Sequence, residues 1–442
     1  MTEASRDSAS GRLRRVLGVG FGVAVIIGSM LGIGILRTPG LVAGSLHSSS
    51  ATLIVWIFGG LYTLFGSICL TELGTMAPEA GGYYVYARRA FGDVAGFAVG
   101  WTDWLTYCAV LGYVSIGIAE FLGLLWPALA GATTGIAIAT LLLFVALQWA
   151  GIRVSSRFQE VTTALKFAAF LALVAAALMW SPHVGAATDA SLGPLTLAGV
   201  VGAIQSVVIA YGGWQSALYF TEEDRDPTRN LPRAMIGGLV AVIVIYVLVN
   251  VALLAVLPLA TLAHSTLPAA DAAAVVAGDR GRQVITVLSL LSLPPLLNAI
   301  MMIGTRILYG LGRDGFVSSR VTSVNARGTP DVATIVTTIV AVGLIATGTF
   351  QRLVAIVSFF LAANYAVCCL ALFTLRRREP DAPRPFRAWG YPWSAAIVLI
   401  GALAFLVGAL VGDTTNGLAA LGLAAVGVVI RKITPGVFLQ KA

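Results

Sequence analysis

The sequence predicts an all-α integral membrane protein of twelve transmembrane helices, the first and the sixth of them broken, and three observations carry that expectation. Hydrophobic residues make up 58% of the chain and charged residues only 11%, with a mean hydropathy of +0.90, a balance that polar surface cannot cover in water. The apolar residues fall into long runs of about 20, enough for a helix to cross a bilayer, which favours a helical bundle over a barrel. Two of those runs carry glycine clusters at corresponding places.

In chain order the runs lie at about 16–44, 51–75, 94–126, 133–150, 157–180, 197–220, 234–258, 284–311, 332–349, 352–375, 393–412 and 415–431. Segments 16–180 and 197–375 form two five-helix halves, followed by a final pair over 393–431 and flanked by tails at 1–15 and 432–442. Of the 28 Lys and Arg residues, Arg37, Arg280, Arg282 and Arg352 fall on one side of this layout. Lys166 is read as the one basic residue inside a span, and the remaining cations lie on the opposite side. Basic loops mark the cytoplasm, so both termini are expected there, in a plasma or inner membrane. The basic cluster Arg12, Arg14 and Arg15 leads straight into a full-length span, so the first helix is expected to stay in the mature protein. The external loop over 259–283 contains Ala-rich and Pro-bearing sequence suited to short helices.

The glycine clusters are Gly28, Gly32 and Gly34 in the first span and Gly212 and Gly213 within Ile209-Ala210-Tyr211-Gly212-Gly213-Trp214-Gln215 of the sixth. Glycine lets a helix unwind, and in lipid the freed backbone groups are tolerated only beside a cavity or a ligand. Close helix packing through small residues is the alternative for either cluster alone. As a pair at matching positions of two five-span halves, the clusters fit a 5+5 inverted repeat whose broken helices meet at the midplane.

At these residues the chain resembles the amino acid-polyamine-organocation superfamily, and within it the L-type amino acid transporter-like branch. The resemblance runs through Glu72-Leu73-Gly74-Thr75-Met76-Ala77-Pro78 with Gly81-Gly82-Tyr83-Tyr84, and through Glu222-Glu223-Asp224-Arg225-Asp226-Pro227. It continues in Gly312-Arg313-Asp314-Gly315 and in Arg384-Pro385-Phe386-Arg387 with Gly390-Tyr391-Pro392. It implies the twelve-helix fold named after the bacterial leucine transporter and movement of amino acids by alternating access, as exchange. A proton-coupled symporter and a cationic amino acid or polyamine permease are the alternatives.

A zwitterionic substrate brings a carboxylate and an ammonium that both need partners once water is removed. Half-helix ends supply them, N–H groups at an N-terminus and carbonyls at a C-terminus. Carried over from the resemblance, the carboxylate meets the backbone N–H of Ile33 and Gly34 beside Gly32, and the ammonium meets the carbonyls of Met30, Ile209 and Gly212. Ile33 and Leu36 stand where relatives often carry a small hydroxyl residue and an aromatic. Ile209 stands where they carry an aromatic gate, so Tyr211 or Trp214 is a candidate cover, and Gln215 a candidate hydrogen-bonding partner.

Lys166 lies about nine residues inside the fifth span, roughly 14 Å at helical rise, too deep for easy snorkelling. By resemblance it replaces a sodium ion beside the first and eighth helices, which implies sodium-independent transport, with Asn298 and Thr305 as polar neighbours. Asp103 is placed near the basic-side end of the third span, where a solvated carboxylate costs little, so proton coupling there is the lesser expectation. No acid falls within the first or sixth span, which reads as a pocket for neutral substrates. Glu72 and Glu120 at helix ends suit structural pairing or solvation.

Cys69, Cys108, Cys368 and Cys369 all fall in apolar spans, so neither a disulfide nor a zinc site is suggested. His47, His183 and His264 fall in external loops and build no catalytic set, so an enzyme is not expected, nor a cofactor or a metal. The spread of the positive charge is explained by topology rather than by nucleic acid. Animal L-type carriers attach to a glycoprotein through a cysteine between spans three and four; the loop Trp126 to Thr133 has none. A covalent glycoprotein partner is therefore not expected, and a monomer or a homodimer fits equally.

Overall fold

Each predicted run is helical in the computed structural model of the chain, which describes residues 13–180, 193–346 and 350–433, without the side chains of 33, 180, 350–356, 430, 432 and 433. Tail residues 1–12 and 434–442, and His183, lie outside the described residues. The first run is two helices, α1 (Val19–Met30) and α2 (Ile33–Leu46), bent by 46° relative to each other. Then follow α3 (Ser49–Met76), α4 (Tyr83–Phe91), α5 (Asp93–Leu125), α6 (Thr133–Trp149) and α7 (Ile152–Trp180). The second half holds α8 (Leu197–Ala210), α9 (Pro227–Val256), α10 (Leu259–His264), α11 (Pro268–Arg313), α12 (Asp331–Ala346) and α13 (Phe350–Arg378), and the chain closes with α14 (Trp393–Gly412) and α15 (Thr414–Ile433).

Among the described residues eight helices are long and apolar enough to cross a bilayer, and the bent pair α1 and α2 makes a ninth span. The predicted sixth, ninth and twelfth spans hold the shorter apolar helices α8, α12 and the Thr414–Val429 part of α15. Helices therefore occupy every predicted segment, while three of the twelve fall short of a full span among the described residues.

Local signals explain the helix starts. Thr196 caps α8 by accepting from Gly199 N at 3.1 Å, and Ser48 caps α3 by accepting from Ala51 N at 3.3 Å; each satisfies an orphan donor of a first turn. Asp226 caps α9 with Pro227 at the first helical position. The Thr228 hydroxyl bonded to it at 2.7 Å holds its carboxyl below the usual carboxylate range. The external loop is helical, as α10 and as the start of α11, which turns at Gly278 with φ +61°. Not anticipated is α4, which occupies the middle of the segment between the second and third spans.

The basic face is closed by charge pairs between segments far apart in sequence, and these are the motifs that carry the resemblance. Fully buried Glu72 pairs with Arg376 at 2.5 Å and Arg384 at 3.2 Å and accepts from Ala388 N at 2.6 Å, so structural pairing is its role. Arg313 reaches Glu222 at 2.7 Å, Glu79 at 2.9 Å and Asp314 at 3.2 Å. Just before α1, Val16 and Leu17 donate to the Glu223 carbonyl at 3.0 and 2.9 Å, lashing the base of the first span to the segment after α8.

Candidate functional site

Four helix ends converge in the middle of the bundle. α1 stops at Met30 because Leu31 and Gly32 are extended, and α2 restarts at Ile33 with Gly32 as a cap that has no side chain. The first N–H groups of α2 consequently have no partner within their own helix. α8 stops at Ala210, and the chain passes through turns to a 3-10 helix, Ser216–Phe220. Gly213, at φ +107°, lies so close to the first break that an added Cβ would stand 2.9 Å from the Ser29 carbonyl oxygen. Likewise a Cβ at Gly34 would stand 3.5 Å from Ala210 Cα. The two breaks are thus in contact with each other.

Tyr246 of α9 bridges them. Its hydroxyl lies 2.5 Å from the Met30 carbonyl and 3.1 Å from that of Ala210, so its one proton is shared between the C-terminal carbonyls of α1 and α8. This residue was not expected from the sequence, where an aromatic within an apolar span carries no distinguishing pattern. Beside Gly32, which is buried, an added Cβ would meet no heavy atom within 4 Å; the space next to the first break is open. Gly28 is different, since a Cβ there would collide with Gln159 and Thr163 of α7, which makes it a packing glycine.

The residues of the second break divide into two groups. Ile209 is 55% exposed and, with Gly212, Phe58, Tyr62 and Tyr365, lines a cavity of about 420 Å³ between α3, α8, α13 and α14. Its carbonyl accepts from Gly212 N at 2.9 Å. Trp214 packs on Tyr365 with ring centroids 5.1 Å apart and planes tilted by 37°, and Gln215 accepts from the Tyr365 hydroxyl at 3.2 Å and reaches the Tyr107 hydroxyl at 3.5 Å. Tyr365 therefore stands between the cavity and both side chains. Tyr211 turns away: its hydroxyl donates to the Trp56 carbonyl at 3.1 Å and its ring packs on Trp56 and Tyr246. As a cover for the ligand it is replaced by packing against α3. A somewhat larger concavity, about 470 Å³, lies between α7, α9 and α11 and is lined almost wholly by Ala, Val and Leu, with Arg280 as its one charged residue; it offers no acidic side chain to an ammonium.

Lys166 is buried and donates to the carbonyls of Gly28 in α1 at 3.0 Å and Ser292 in α11 at 2.9 Å. It thus spans the first and eighth helices. Asn298 and Thr305, expected beside it, are engaged elsewhere. Asn298 joins Gln148 and Gln159, each at 2.8 Å, while Thr305 donates to the Met302 carbonyl at 2.7 Å and accepts from Arg306 at 3.1 Å. The reason is position along α11: the Ser292 carbonyl lies more than a turn away from Asn298 and meets the lysine first.

Two buried charges correct the sequence-based picture. Arg306 also lies within the eighth span, at a place assigned to the basic side, and is 1% exposed in a two-pronged pair with Glu223, at 2.9 and 3.0 Å. Asp103, expected near solvent, is fully buried. It accepts from the Tyr219 hydroxyl at 2.9 Å and from Asn364 at 3.4 Å. Helix α4 and the 3-10 segment cover this end of α5, which removes the water assumed there. The four cysteines are buried thiols. Among the described residues no His, Cys, Asp and Glu grouping suits a metal.

Similarity to known proteins agrees with this geometry. A family model described as amino acid permease matches residues 22–430. The serine/threonine exchanger SteT of Bacillus subtilis is 27% identical over 427 residues, covering 94% of this chain and 96% of its own. The mouse b(0,+)-type amino acid transporter 1 is 28% identical, covering 89% and 82%. The human large neutral amino acids transporter small subunit 2 is 27% identical, covering 87% and 75%.

Proposed function

Because the chain belongs to the amino acid permease family, and is a membrane transporter of amino acids rather than an enzyme, we propose that it exchanges neutral L-amino acids across the cell membrane without sodium. Both termini are assigned to the cytoplasm, on the side where the basic loops gather. Residues 16–180 and 197–375 are assigned to two inverted five-helix repeats, which the matched breaks in α1/α2 and after α8 support.

The observation that carries the proposal is the meeting of the breaks. The substrate carboxylate takes the uncapped N–H groups of Ile33 and Gly34, which point from the positive end of α2. In place of the expected Ile209 carbonyl, which accepts from Gly212 N, and that of Gly212, the ammonium takes the remaining lone pairs of the Met30 and Ala210 carbonyls, the pair that the Tyr246 hydroxyl already bridges. Gly32 leaves room for the substrate Cα. Trp214 and Gln215 set the position of Tyr365 from behind. Among Met30, Gly32, Ile33, Gly34, Ile209, Tyr211, Gly212, Trp214 and Gln215, Tyr211 acts through packing alone.

Lys166 supports the sodium-independent reading. Its ammonium holds the carbonyls of Gly28 and Ser292, so a fixed cation already ties the first helix to α11. A neutral substrate is in keeping with a serine/threonine exchanger among the relatives, and no acidic side chain stands within α1, α2 or α8 to pair a cationic one.

The test is counterflow in liposomes with purified protein: uptake of labelled serine, threonine and leucine, with and without unlabelled amino acid inside, in choline or sodium buffer. Stimulation by internal substrate in choline supports the proposal. An absolute sodium requirement contradicts it.

A further inference from the structure

We propose that Asp103 is a proton-binding site, and that it gives this carrier a second activity, net amino acid uptake driven by protons. The inference rests on the transport function proposed above and adds to it, since exchange alone changes no total amount of amino acid. It starts from the surroundings of the carboxyl group. Fully buried in the bundle, Asp103 has two hydrogen-bond donors, the Tyr219 hydroxyl at 2.9 Å and the Asn364 amide at 3.4 Å, and both are neutral.

The titratable groups facing it are also uncharged at neutral pH. They are Tyr107 on its own helix, Tyr83 on α4, Tyr219 on the 3-10 segment, and Tyr365 and Cys368 on α13. Neighbouring α11 carries Arg306, but that guanidinium is committed to Glu223. Among the described residues no ion pair to Asp103 is formed. A lone ionised carboxylate removed from water is costly, and inside a membrane protein such an acid marks a functional position by default. Glu72 and Glu223 differ, because each buried carboxylate is matched by arginine.

Geometry also supplies the coupling. Tyr219 lies on the short helix directly after the second break, close to the site around which the two repeats of a broken-helix carrier rock. A displacement of this helix that drew Tyr219 away would remove one of the two donors and open the carboxyl to water. A proton from external water then binds one carboxylate oxygen, forming an O–H bond. It leaves to cytoplasmic water after the carrier reorients, and no bond to the amino acid is made or broken. Asp103 does not touch the proposed substrate atoms; it reports the position of the segment that carries them.

Liposomes containing the pH dye pyranine test this. In substrate-free vesicles, wild-type uptake of labelled serine should rise several-fold when the outside is one unit more acidic, and adding serine should acidify the lumen. Asp103→Asn, which keeps the shape of the neutral acid, should lose the gradient stimulation and the acidification yet retain counterflow at equal pH. Asp103→Glu should restore part of both. Wild-type counterflow without acidification or gradient response overturns the proton site, whatever the variant does, and so does Asp103→Asn with the full response. Failure of counterflow alone counts against exchange instead and leaves the gradient arm to decide on the proton site.

Discussion

The segments below the two breaks are each fastened to α11 by a buried cation, but the fastenings differ in kind. Lys166 holds α1 through the dipoles of two carbonyls, Gly28 and Ser292. Arg306 holds the segment after α8 through a full carboxylate, Glu223, and that residue's own backbone carbonyl holds Leu17. Carbonyl partners keep their helical roles when the ammonium leaves, whereas Glu223 without Arg306 is a stranded charge. The first break is thus held by contacts whose loss strands no charge, and the second by a pair whose loss does.

The glycines follow the same division. At the first break Gly32 is extended, with φ −164°, which any residue adopts, so glycine is there for room. At the second, Gly213 has φ +107° and faces the Ser29 backbone, so glycine is there for conformation as well as for contact.

Breaking the anchor should have the largest effect. Arg306→Leu strands a buried carboxylate at a cost of about 3–5 kcal/mol, visible as a large fall in thermal stability in detergent; an unchanged melting temperature would put Glu223 in contact with water. Next comes Gly213→Ala, where strained backbone and a close approach to Ser29 cost about 3 kcal/mol, expected to abolish counterflow and lower the yield of folded protein. Lys166→Met removes charged hydrogen bonds of about 1.5–3 kcal/mol in total effect while keeping volume. It should leave a folded protein with at least tenfold slower exchange, and wild-type rates would remove Lys166 from the transport cycle. The smallest effect on transport belongs to Tyr246→Phe, the loss of one shared hydrogen bond of about 1 kcal/mol, read as a several-fold rise in the substrate concentration needed for half-maximal counterflow.

Much of this was legible in the sequence, and the gaps have physical causes. Glycine clusters and the depth of Lys166 are local signals, readable within one helix, and they located both breaks and the cation beside the first. Tyr246, Tyr365 and Tyr107 were not legible, because a tyrosine facing lipid and one facing a carbonyl look alike along a span. Arg306 was missed for a different reason: its partner lies 83 residues away, in a loop. Asp103 was misplaced because distance from a helix end predicts exposure only where nothing covers that end, and here α4 does. Asn298 and Thr305, expected as polar neighbours of Lys166, hydrogen-bond elsewhere, since helical position fixes a face but not which side chain on the facing helix arrives first.

The central claim is that an amino acid occupies the space beside Gly32, and equilibrium binding to purified protein tests it directly. Gly32→Leu can adopt the native backbone and its Cβ meets no heavy atom within 4 Å, while the rest of its side chain fills the place of the substrate. The predicted result is a protein with wild-type melting temperature that no longer binds labelled neutral amino acids. Wild-type affinity in that variant would contradict the account and move the substrate away from the first break.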